Sequence, residues 1–489
     1  MVSFLVSVLG RKAFIGGRGW LAWAALLLVC SMALAAPRAE GKEQHGAAAA
    51  AAPADKKTKK SAHQTTVKPA SKPAPKKAEK AQEQPKTKAS KTVQKKEQEQ
   101  TPAPAPKNRS AGQRSTGLHG VQVEAQLQAI YAAIATADNR QALRLAEQLT
   151  RSQPNFQLGQ MLYADLLLAQ TRPVAVPGSA PEALTRAAPG AITDLRAEAK
   201  VRIKAQQERP PAGSLPENFL ALSAWNSQAI AVDIGKSRLY VFDRNAAGQL
   251  QLQHDYYISI ARLGAIKTNE GDLRTPLGPY FITSHLYPSQ LPAFYGAGAL
   301  PLNYPNPYDL RRGKSGSGIW LHGTPPQQYS RPPQASEGCV VLTNPDFDAL
   351  AQTVSLRSTP VVIAQSLRWL PAGSNTWQAG FDTAWQAWRS HKLQGTAVSL
   401  APFYYASFAG QGGQNWVSFY RQLQGEMRQS RRISADIGKV SRVYWREAAD
   451  EEVVVTTFAQ SLGAREKNRR QYWRRKAGNP WRIFYESDV

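Results

Sequence analysis

The sequence predicts a multidomain chain: a disordered basic segment, a small helical unit, a β-rich domain and an α+β domain. Three observations lead to this fold class. The 489 residues exceed what one hydrophobic core ordinarily holds, so two or three domains are expected. Apolar residues change from helical to strand-like spacing near residue 229, and back to helical spacing near residue 377. Residues 37–118 have almost no large apolar side chains and cannot form a core.

Residues 1–35 have the pattern of an export signal. Basic residues precede an apolar run from Trp20 to Leu34, and the run closes on small residues up to Ala35. It holds about 15 residues, whereas a bilayer span needs roughly 20, so cleavage near Ala35 is favoured over retention as a membrane anchor. We therefore expect a periplasmic chain, either free or attached to the inner membrane through its N-terminus.

Residues 36–118 are predicted to be a disordered basic linker. They are rich in Ala, Lys, Pro and Gln and contain no aromatic residue, so burial cannot offset their chain entropy. They supply much of the net charge of +26, which suits anionic surfaces such as phospholipid or a carboxylate-rich wall. Export argues against a nucleic-acid partner, and a solvated tether is favoured over a specific binding segment.

Residues 119–209 show helical spacing of apolar side chains. The spacing is clear from Leu127 to Ile134, Pro154 interrupts it, and it resumes from Leu158 to Ala169 before a charged helix that ends near Glu208. The region resembles one tetratricopeptide-type repeat. Because a solenoid needs several repeats, we predict a small helical hairpin or three-helix unit.

Residues 216–370 are predicted to form a β-rich domain. Short apolar runs separated by turn residues are typical of strands. The clearest runs are Ala229–Asp233, Arg238–Phe242, Tyr256–Ile260, Tyr280–Ile282, Ser317–Leu321 and Val361–Ala364.

Residues 376–489 are predicted to be an α+β domain. An amphipathic helix opens the segment, with Trp377, Phe381, Trp385 and Trp388 on one face. Strand-like runs follow from residue 440 onward, and helices followed by an antiparallel sheet define the α+β class. We expect the tryptophans to form a core rather than a ligand site.

Cys339 is the candidate nucleophile. The sequence has two cysteines, and Cys30 lies in the export signal, so a cleaved chain would carry a lone thiol in an oxidising compartment. A thiolate nucleophile needs a base within reach and amide donors for the oxyanion. His322 ends a predicted strand, and the following loop can bring Cys339 back beside it. Gly338 lacks a Cβ atom, so the amides of Gly338 and Cys339 can approach a substrate carbonyl closely.

The motif His322-Gly323 followed by Ser336-Glu337-Gly338-Cys339 resembles the active site of the L,D-transpeptidases of the YkuD type. That family has His-Gly and then Ser/Thr-His-Gly-Cys, and the segment 275–280 is similar to its Thr-Pro-x-Gly-x-Tyr hairpin. The resemblance covers roughly residues 229–370. It implies that Cys339 is the nucleophile, His322 the proton donor and acceptor and Gly338 an oxyanion amide, while Ser336 orders the loop.

Two positions depart from the family pattern. Glu337 stands where the family usually has histidine, and Val341 stands where it often has arginine. A carboxylate beside the thiolate would raise the pKa of Cys339 and alter substrate choice. We take Glu337 and Gly323 as candidate substrate-binding residues.

The resemblance also implies a reaction. Cys339 would attack the carbonyl of the third residue of a peptidoglycan stem tetrapeptide, usually diaminopimelate, and release the terminal D-Ala to leave a thioester. The amine of another stem would then give a cross-link, a lysine of a wall-anchored protein would give anchoring, and water would give trimming. No cofactor is expected, and the sequence contains no metal-ligand cluster of suitable spacing.

The tail from about Trp377 resembles the nuclear-transport-factor-two-like domain of some exported transpeptidases, through its aromatic helix and the terminal run 481–484. We favour a scaffold role for it over a glycan or peptide site. Two alternative functions remain at this stage. The same site could serve an L,D-carboxypeptidase, an endopeptidase or an amidase-type hydrolase, or the chain could be a non-catalytic wall-binding protein that acts through its tether and tail.

Overall fold

The computed structural model describes residues 116–174, 177–179, 190–430, 434–448 and 450–489. The predicted export signal at 1–35 and residues 36–115 of the predicted linker lie outside these ranges. The first helix begins at Thr116, slightly before the predicted start of the helical region. In the described part of the chain, no helix combines the length and the apolar character needed to cross a membrane.

A helical unit comes first. Its helices are α1 (Thr116–Ala135), α2 (Asn139–Ser152), α3 (Gln157–Leu168) and α4 (Ala191–Gln207). Asp138 caps α2 by accepting a hydrogen bond from the amide of Gln141, which satisfies one of the free donors at a helix start. The helices bury apolar residues such as Leu127, Ile130 and Leu149 against one another, so the unit has a core of its own.

A mixed five-stranded sheet forms the centre of the molecule. In chain order, its strands are β2 (Gln228–Asp233), β3 (Arg238–Arg244), β4 (Leu250–Tyr257), β6 (Gly278–Phe281) and β11 (Pro360–Ala364), while β1 (Ser214–Pro216) and β12 (Trp369–Pro371) pair beside it. The spatial order is β4-β3-β2-β11-β6, and β2 and β11 run parallel. All residues of β2 are buried, as expected for a strand covered on both faces.

The first face of the central sheet, on which Ile230 and Val232 lie, is covered by a layer of short elements. These are β5 (Ile260–Ala261), β7 (Ala299–Pro301), β8 (Trp320–His322), β9 (Gln334–Ser336), β10 (Val340–Val341) and α6 (Asn344–Thr353), whereas α5 (Pro307–Arg311) contributes Tyr308 to the core on the second face. Leu321, Val340 and Phe347 from this layer share one core with Ile230 and Val232. The core therefore fixes the positions of β8, β10 and α6.

The second face of the central sheet packs against the C-terminal sheet. The C-terminal elements are α7 (Gln378–Gln394), α8 (Ala397–Leu400), β13 (Tyr404–Gly410), α9 (Trp416–Ser430), β14 (Ala435–Ala448), β15 (Glu451–Leu462), β16 (Arg465–Lys476) and β17 (Arg482–Asp488). Ala229, Ala231 and Phe242 share a core with Val455 and Tyr472 of this sheet. On its other side, the C-terminal sheet packs against α7 and α9 through a separate aromatic core that includes Trp388 and Trp473.

The β-rich class with accompanying helices is confirmed, and several elements differ from the predicted ones. The predicted strand Tyr256–Ile260 is divided, because Ser259 leaves the central sheet and exchanges two backbone hydrogen bonds with Val341, at 2.9 and 2.8 Å. Helix α6 and strand β13 were not predicted. Strand β1 was not predicted either.

Candidate active site

Strands β8 and β10 bring the predicted base and nucleophile to the same face. They run parallel, with Leu321 paired to Val340 and His322 paired to Val341. Because side chains alternate along a strand, burial of Leu321 and Val340 in the core turns His322 and Cys339 to the opposite side. By standard strand spacings their Cα atoms lie on the order of 8 Å apart, a gap that a histidine and a cysteine side chain can close.

His322 is held as a neutral, oriented imidazole. Its Nδ1 lies 2.7 Å from the carbonyl oxygen of Gly323. An oxygen acceptor at this distance requires the proton on Nδ1, so Nε2 is left with its lone pair. The ring is 1% exposed, and the ring of Tyr295 lies 5.0 Å from it. Burial lowers the pKa of His322 to about 4, the Gly323 hydrogen bond opposes this shift, and the charge of Arg331 adds to it.

Cys339 is half-buried and carries a free thiol. Its Sγ donates to the carbonyl oxygen of Gly318 at 3.4 Å. Burial raises the pKa of Cys339 to about 11, while a backbone hydrogen bond from Trp320 and the charge of Arg331 act to lower it, and Glu337 acts to raise it. Both the thiol of Cys339 and the imidazole of His322 are therefore neutral at pH 7, which suits proton transfer during attack rather than a preformed ion pair.

Ser336 stabilises the loop that carries Cys339 through two hydrogen bonds. Its Oγ donates to the carbonyl oxygen of Cys339 at 2.7 Å and accepts from the amide of Gly338 at 3.3 Å. Gly338 has a φ of +150°, and an added Cβ atom would lie 3.0 Å from Cδ1 of Ile319. The amide of Gly338 thus points at Ser336 in this structure, and its donation to an oxyanion, which stays a prediction, would require that long hydrogen bond to open.

Gly323 is buried beneath a neighbouring loop. A Cβ atom there would lie 2.2 Å from Oδ1 of Asn344 and 2.9 Å from the amide nitrogen of Ala297. Asn344 Oδ1 accepts from the amides of Ala297 and Thr324, at 2.9 and 3.0 Å. Gly323 was predicted to contact the substrate, but it is buried and instead positions other groups. Its carbonyl oxygen orients His322, and the absence of a side chain leaves room for Asn344.

Glu337 lies at the open side of the site. Its side chain is 72% exposed and sits 3.8 Å from Nη2 of Arg262, which is also exposed. Exposed pairs of this kind are weak, so the carboxylate of Glu337 is available to an incoming ligand and remains a candidate substrate contact.

Two further groups of the site, Arg331 and Tyr295, were not predicted. Arg331 lies in a proline-containing segment whose sequence is typical of a solvated loop. The residue is nevertheless only 6% exposed, and its charge affects the pKa values of both Cys339 and His322. Tyr295 packs against His322, and its own pKa is raised by burial and by the neighbouring Cys339. Within the described ranges, no group of three or more His, Cys, Asp or Glu side chains is arranged to hold a metal ion.

Comparisons with known proteins identify the family of this region. The sequence profile of the YkuD L,D-transpeptidase catalytic domain matches residues 227–363. Bd1075 of Bdellovibrio bacteriovorus is a similar solved structure, with 26% identity and a TM-score of 0.46 over 56% of this chain and 98% of that chain. The helical cell shape determining protein Pgp2 of Campylobacter jejuni has 19% identity and a TM-score of 0.45 over 55% of this chain and 95% of that one.

An NTF2-like protein of Rhodospirillum rubrum covers 22% of this chain and 96% of its own, with 16% identity and a TM-score of 0.17. A sequence search of curated proteins finds no match. The profile match spans β2 to β11 and includes both His322 and Cys339. Residues 227–363 are therefore a catalytic domain of the YkuD family of L,D-transpeptidases, enzymes that act on peptidoglycan stem peptides.

Proposed function

We propose that the protein is an exported peptidoglycan L,D-transpeptidase that works through a thioester on Cys339. One observation supports the assignment of residues: β8, which ends at His322, pairs with β10, which begins directly after Cys339, and the hydrogen bond to Gly323 leaves Nε2 of His322 free to accept a proton. Family membership supports the class of enzyme and its stem-peptide substrate.

The first half of the reaction forms the acyl-enzyme. Nε2 of His322 takes the Sγ proton while the sulfur attacks the carbonyl carbon of the third stem residue. The carbonyl oxygen becomes an oxyanion, for which the amides of Gly338 and Cys339 are the candidate donors. When the intermediate collapses, the bond to the terminal D-Ala breaks and His322 gives its proton to the leaving amine.

The second half releases the acyl group. The side-chain amine of another stem attacks the thioester and loses its proton to His322, which returns it to the sulfur. An amide cross-link and a free thiol result. A lysine of a wall protein would react in the same way, and water in place of the amine would give a shortened stem.

The pKa shifts of the two groups support this order of events. With the pKa of His322 lowered to about 4 and that of Cys339 raised to about 11, both are neutral before the substrate arrives. The proton therefore moves as the sulfur attacks. The imidazolium that forms in this buried position is a strong acid and readily protonates the leaving amine.

The remaining parts of the chain fit a wall enzyme. We assign residues 1–35 to export into the periplasm, with cleavage near Ala35 or retention as an inner-membrane anchor, and residues 36–118 to a basic tether. The C-terminal domain, which we take to be NTF2-like, serves as a scaffold, since one face of its sheet is buried against the central sheet.

Mass spectrometry of the purified protein after brief reaction with a disaccharide tetrapeptide tests the proposal. We expect an adduct on Cys339 equal to the donor minus D-Ala, and cross-linked dimers when a second stem is supplied. Cys339→Ala should give neither, whereas Cys30→Ala, the matched control at the other cysteine, should give both. Turnover by Cys339→Ala at the wild-type rate would overturn the proposal, and monomers without dimers would assign the thioester to hydrolysis.

A further inference from the structure

Arg331 is a buried cation beside the candidate catalytic pair. Its guanidinium stacks 4.2 Å from the ring centroid of Phe294, and its Nη2 lies 3.4 Å from the Phe294 carbonyl oxygen. The Phe294 ring is in turn 6.1 Å from the ring of His322. The side chain thus lies along the wall of the site, with one face on an aromatic ring.

The loop that carries Arg331 is held in place by hydrogen bonds to β4 and to the helical unit. The hydroxyl of Tyr257 donates to the Arg331 carbonyl oxygen at 2.8 Å. Ser330 Oγ donates to Glu198 of the helical unit at 2.7 Å, and the amide of Tyr329 donates to the carbonyl oxygen of Asn155 at 3.2 Å. Contacts to α4 and to the α2–α3 turn therefore hold the backbone of Arg331 in place.

Arg331 has no acidic partner. Three other buried arginines are paired with carboxylates: Arg202 lies 2.8 Å from Glu198, Arg238 lies 2.5 Å from Asp255, and Arg469 lies 2.8 Å from Glu486. Arg470 is buried without a carboxylate, but it donates hydrogen bonds at 3.1 Å to Thr457 and at 2.7 Å to the carbonyl oxygen of Arg357, whereas Arg331 makes one at 3.4 Å. Among the described residues, no carboxylate lies within 4.0 Å of the Arg331 guanidinium. A buried cation without an anion is costly unless a ligand supplies the charge.

Glu337, the acid at the mouth of the site, is exposed and pairs with Arg262 rather than with Arg331. Arg331 stacks on Phe294, and the Phe294 ring lies beside that of His322. The vacant counter-charge position is therefore at the wall of the site, on the side of His322.

We propose that Arg331 binds a carboxylate of the donor stem, namely the free C-terminal carboxylate of the D-Ala that leaves. The inference rests on the proposed function, since it assumes attack on the bond before that residue. By standard backbone dimensions, the terminal carboxylate carbon lies within about 4 Å of the attacked carbonyl carbon. A cation in the wall of the site beside His322 is therefore placed for this carboxylate, whereas the side-chain carboxylate of diaminopimelate is several bonds farther away.

The consequence is a substrate preference. The site would accept stems that end at the fourth residue and reject stems in which that carboxylate is blocked or extended by a fifth residue. Arginine suits this task because its planar fork can donate two parallel hydrogen bonds to one carboxylate.

The test compares three donors that differ in one charge: the tetrapeptide, its C-terminal amide, and a tetrapeptide whose diaminopimelate side-chain carboxylate is amidated. The readout is kcat/KM for D-Ala or D-Ala-amide release. We expect wild type to prefer the free acid over the C-terminal amide by roughly 100-fold, on the scale of an unpaired buried charge. Arg331→Gln should lower kcat/KM for the free acid and bring the ratio near one, and Arg331→Lys should restore part of the preference.

Arg262→Gln is the matched control, because Arg262 is an exposed arginine at the same mouth and should leave the ratio unchanged. If Arg331→Gln instead changes the ratio of kcat/KM between the tetrapeptide and the donor with the amidated diaminopimelate side chain, Arg331 binds that side-chain carboxylate, and the proposal is wrong. Equal slowing of all three donors by Arg331→Gln would also overturn it, since Arg331 would then act on the oxyanion or the thiolate. Turnover by Cys339→Ala would refute the thioester of the proposed function, a result that is distinct from any change in donor preference. Thermal unfolding of each variant shows whether a loss of activity is due to misfolding. If Arg331→Gln is misfolded, the donor preference of Arg331→Lys decides whether the proposal holds.

Discussion

The ring of Tyr329 packs against the ring of Phe156, with 4.8 Å between their centroids. Tyr329 belongs to the loop between His322 and Cys339, yet its side chain lies in the core of the helical unit. The helical unit is therefore a structural support of the catalytic domain, and its packing bears on the geometry of Arg331, two residues farther along.

Truncation of this anchor should disturb both stability and turnover. We expect Tyr329→Ala to lower the free energy of unfolding by about 3 kcal/mol, the usual cost of removing a buried aromatic ring. Turnover should fall further than the fraction of folded protein, because the Arg331 loop loses its attachment. Tyr329→Phe keeps the ring and should retain most of the activity. Unfolding curves and kcat/KM check this, and full turnover by Tyr329→Ala would argue against coupling.

The pH dependence should reflect two neutral groups. Because the pKa of His322 is lowered to about 4, its base form persists in mild acid, and kcat/KM should fall only as the pH drops through about 4. Because the pKa of Cys339 is raised to about 11, the rate of alkylation by iodoacetamide should keep rising with pH to that value. In urea-denatured protein the same thiol should instead titrate near its ordinary value of about 8.5. An alkylation plateau above pH ~8 in the folded enzyme would contradict the neutral pair.

Gly338→Ala should lower activity by more than its loss of stability explains. The new Cβ atom would lie 3.0 Å from Cδ1 of Ile319 at a φ of +150°, so the backbone before Cys339 must move. We expect kcat/KM to drop by more than about 100-fold, since ångström-scale displacement of a nucleophile has this effect. Gly248→Ala is the control for backbone strain alone: its φ is +76° and no atom lies within 4 Å of the added Cβ. It should cost about 1 kcal/mol of stability and leave turnover intact.

The C-terminal domain should lose stability in acid through Glu426. Burial alone would raise the pKa of this carboxyl, but Lys392 and Arg469 outweigh burial and lower the pKa to about 2. A depressed folded-state pKa means that the ionised carboxylate contributes stability above its ordinary value of 4.5, and that the contribution is lost as the pH falls toward 2. Glu426→Gln should thus cost roughly 3 kcal/mol at pH 7 and almost nothing near pH ~2.

Thermal unfolding of wild type and Glu426→Gln across this pH range provides the measurement. Glu466→Gln is the control, because Glu466 pairs with Lys439 on the surface, where both side chains are exposed. Its effect should stay below about 0.5 kcal/mol. A pH-independent difference for Glu426→Gln would show that size rather than charge matters at this position.

The parts of the fold that follow from local pattern were predictable. Strands β2 and β11 are buried on both faces and therefore appear in the sequence as uninterrupted apolar runs. His322 and Cys339 could be paired because one ends a strand and the other follows a glycine in a short return loop. Helix α6 could also have been found, since Thr343 at its N-cap and the proline in its first turn are ordinary helix-start signals.

Arg331 could not be found from its neighbours in sequence. The prolines and glutamines around it indicate a solvated loop, and its burial depends on Phe156, Glu198 and Tyr257, all more than 70 residues earlier. Strand β1 is similar, because its only pairing partner among the described strands is β12, at the far end of the domain. Such contacts are properties of the assembled fold rather than of any local segment.

The two-sided burial of the central sheet sets an order of events during biosynthesis. Ala231 and Phe242 pack against a layer that contains Phe484 of β17. One face of the catalytic sheet therefore stays exposed to solvent until β17 has been synthesised. An apolar face exposed for that long is a target for chaperones and for aggregation. A nonsense codon between residues 376 and 482 removes the strand that carries Phe484 and should therefore abolish the enzyme, although every residue of the catalytic motif would already have been translated.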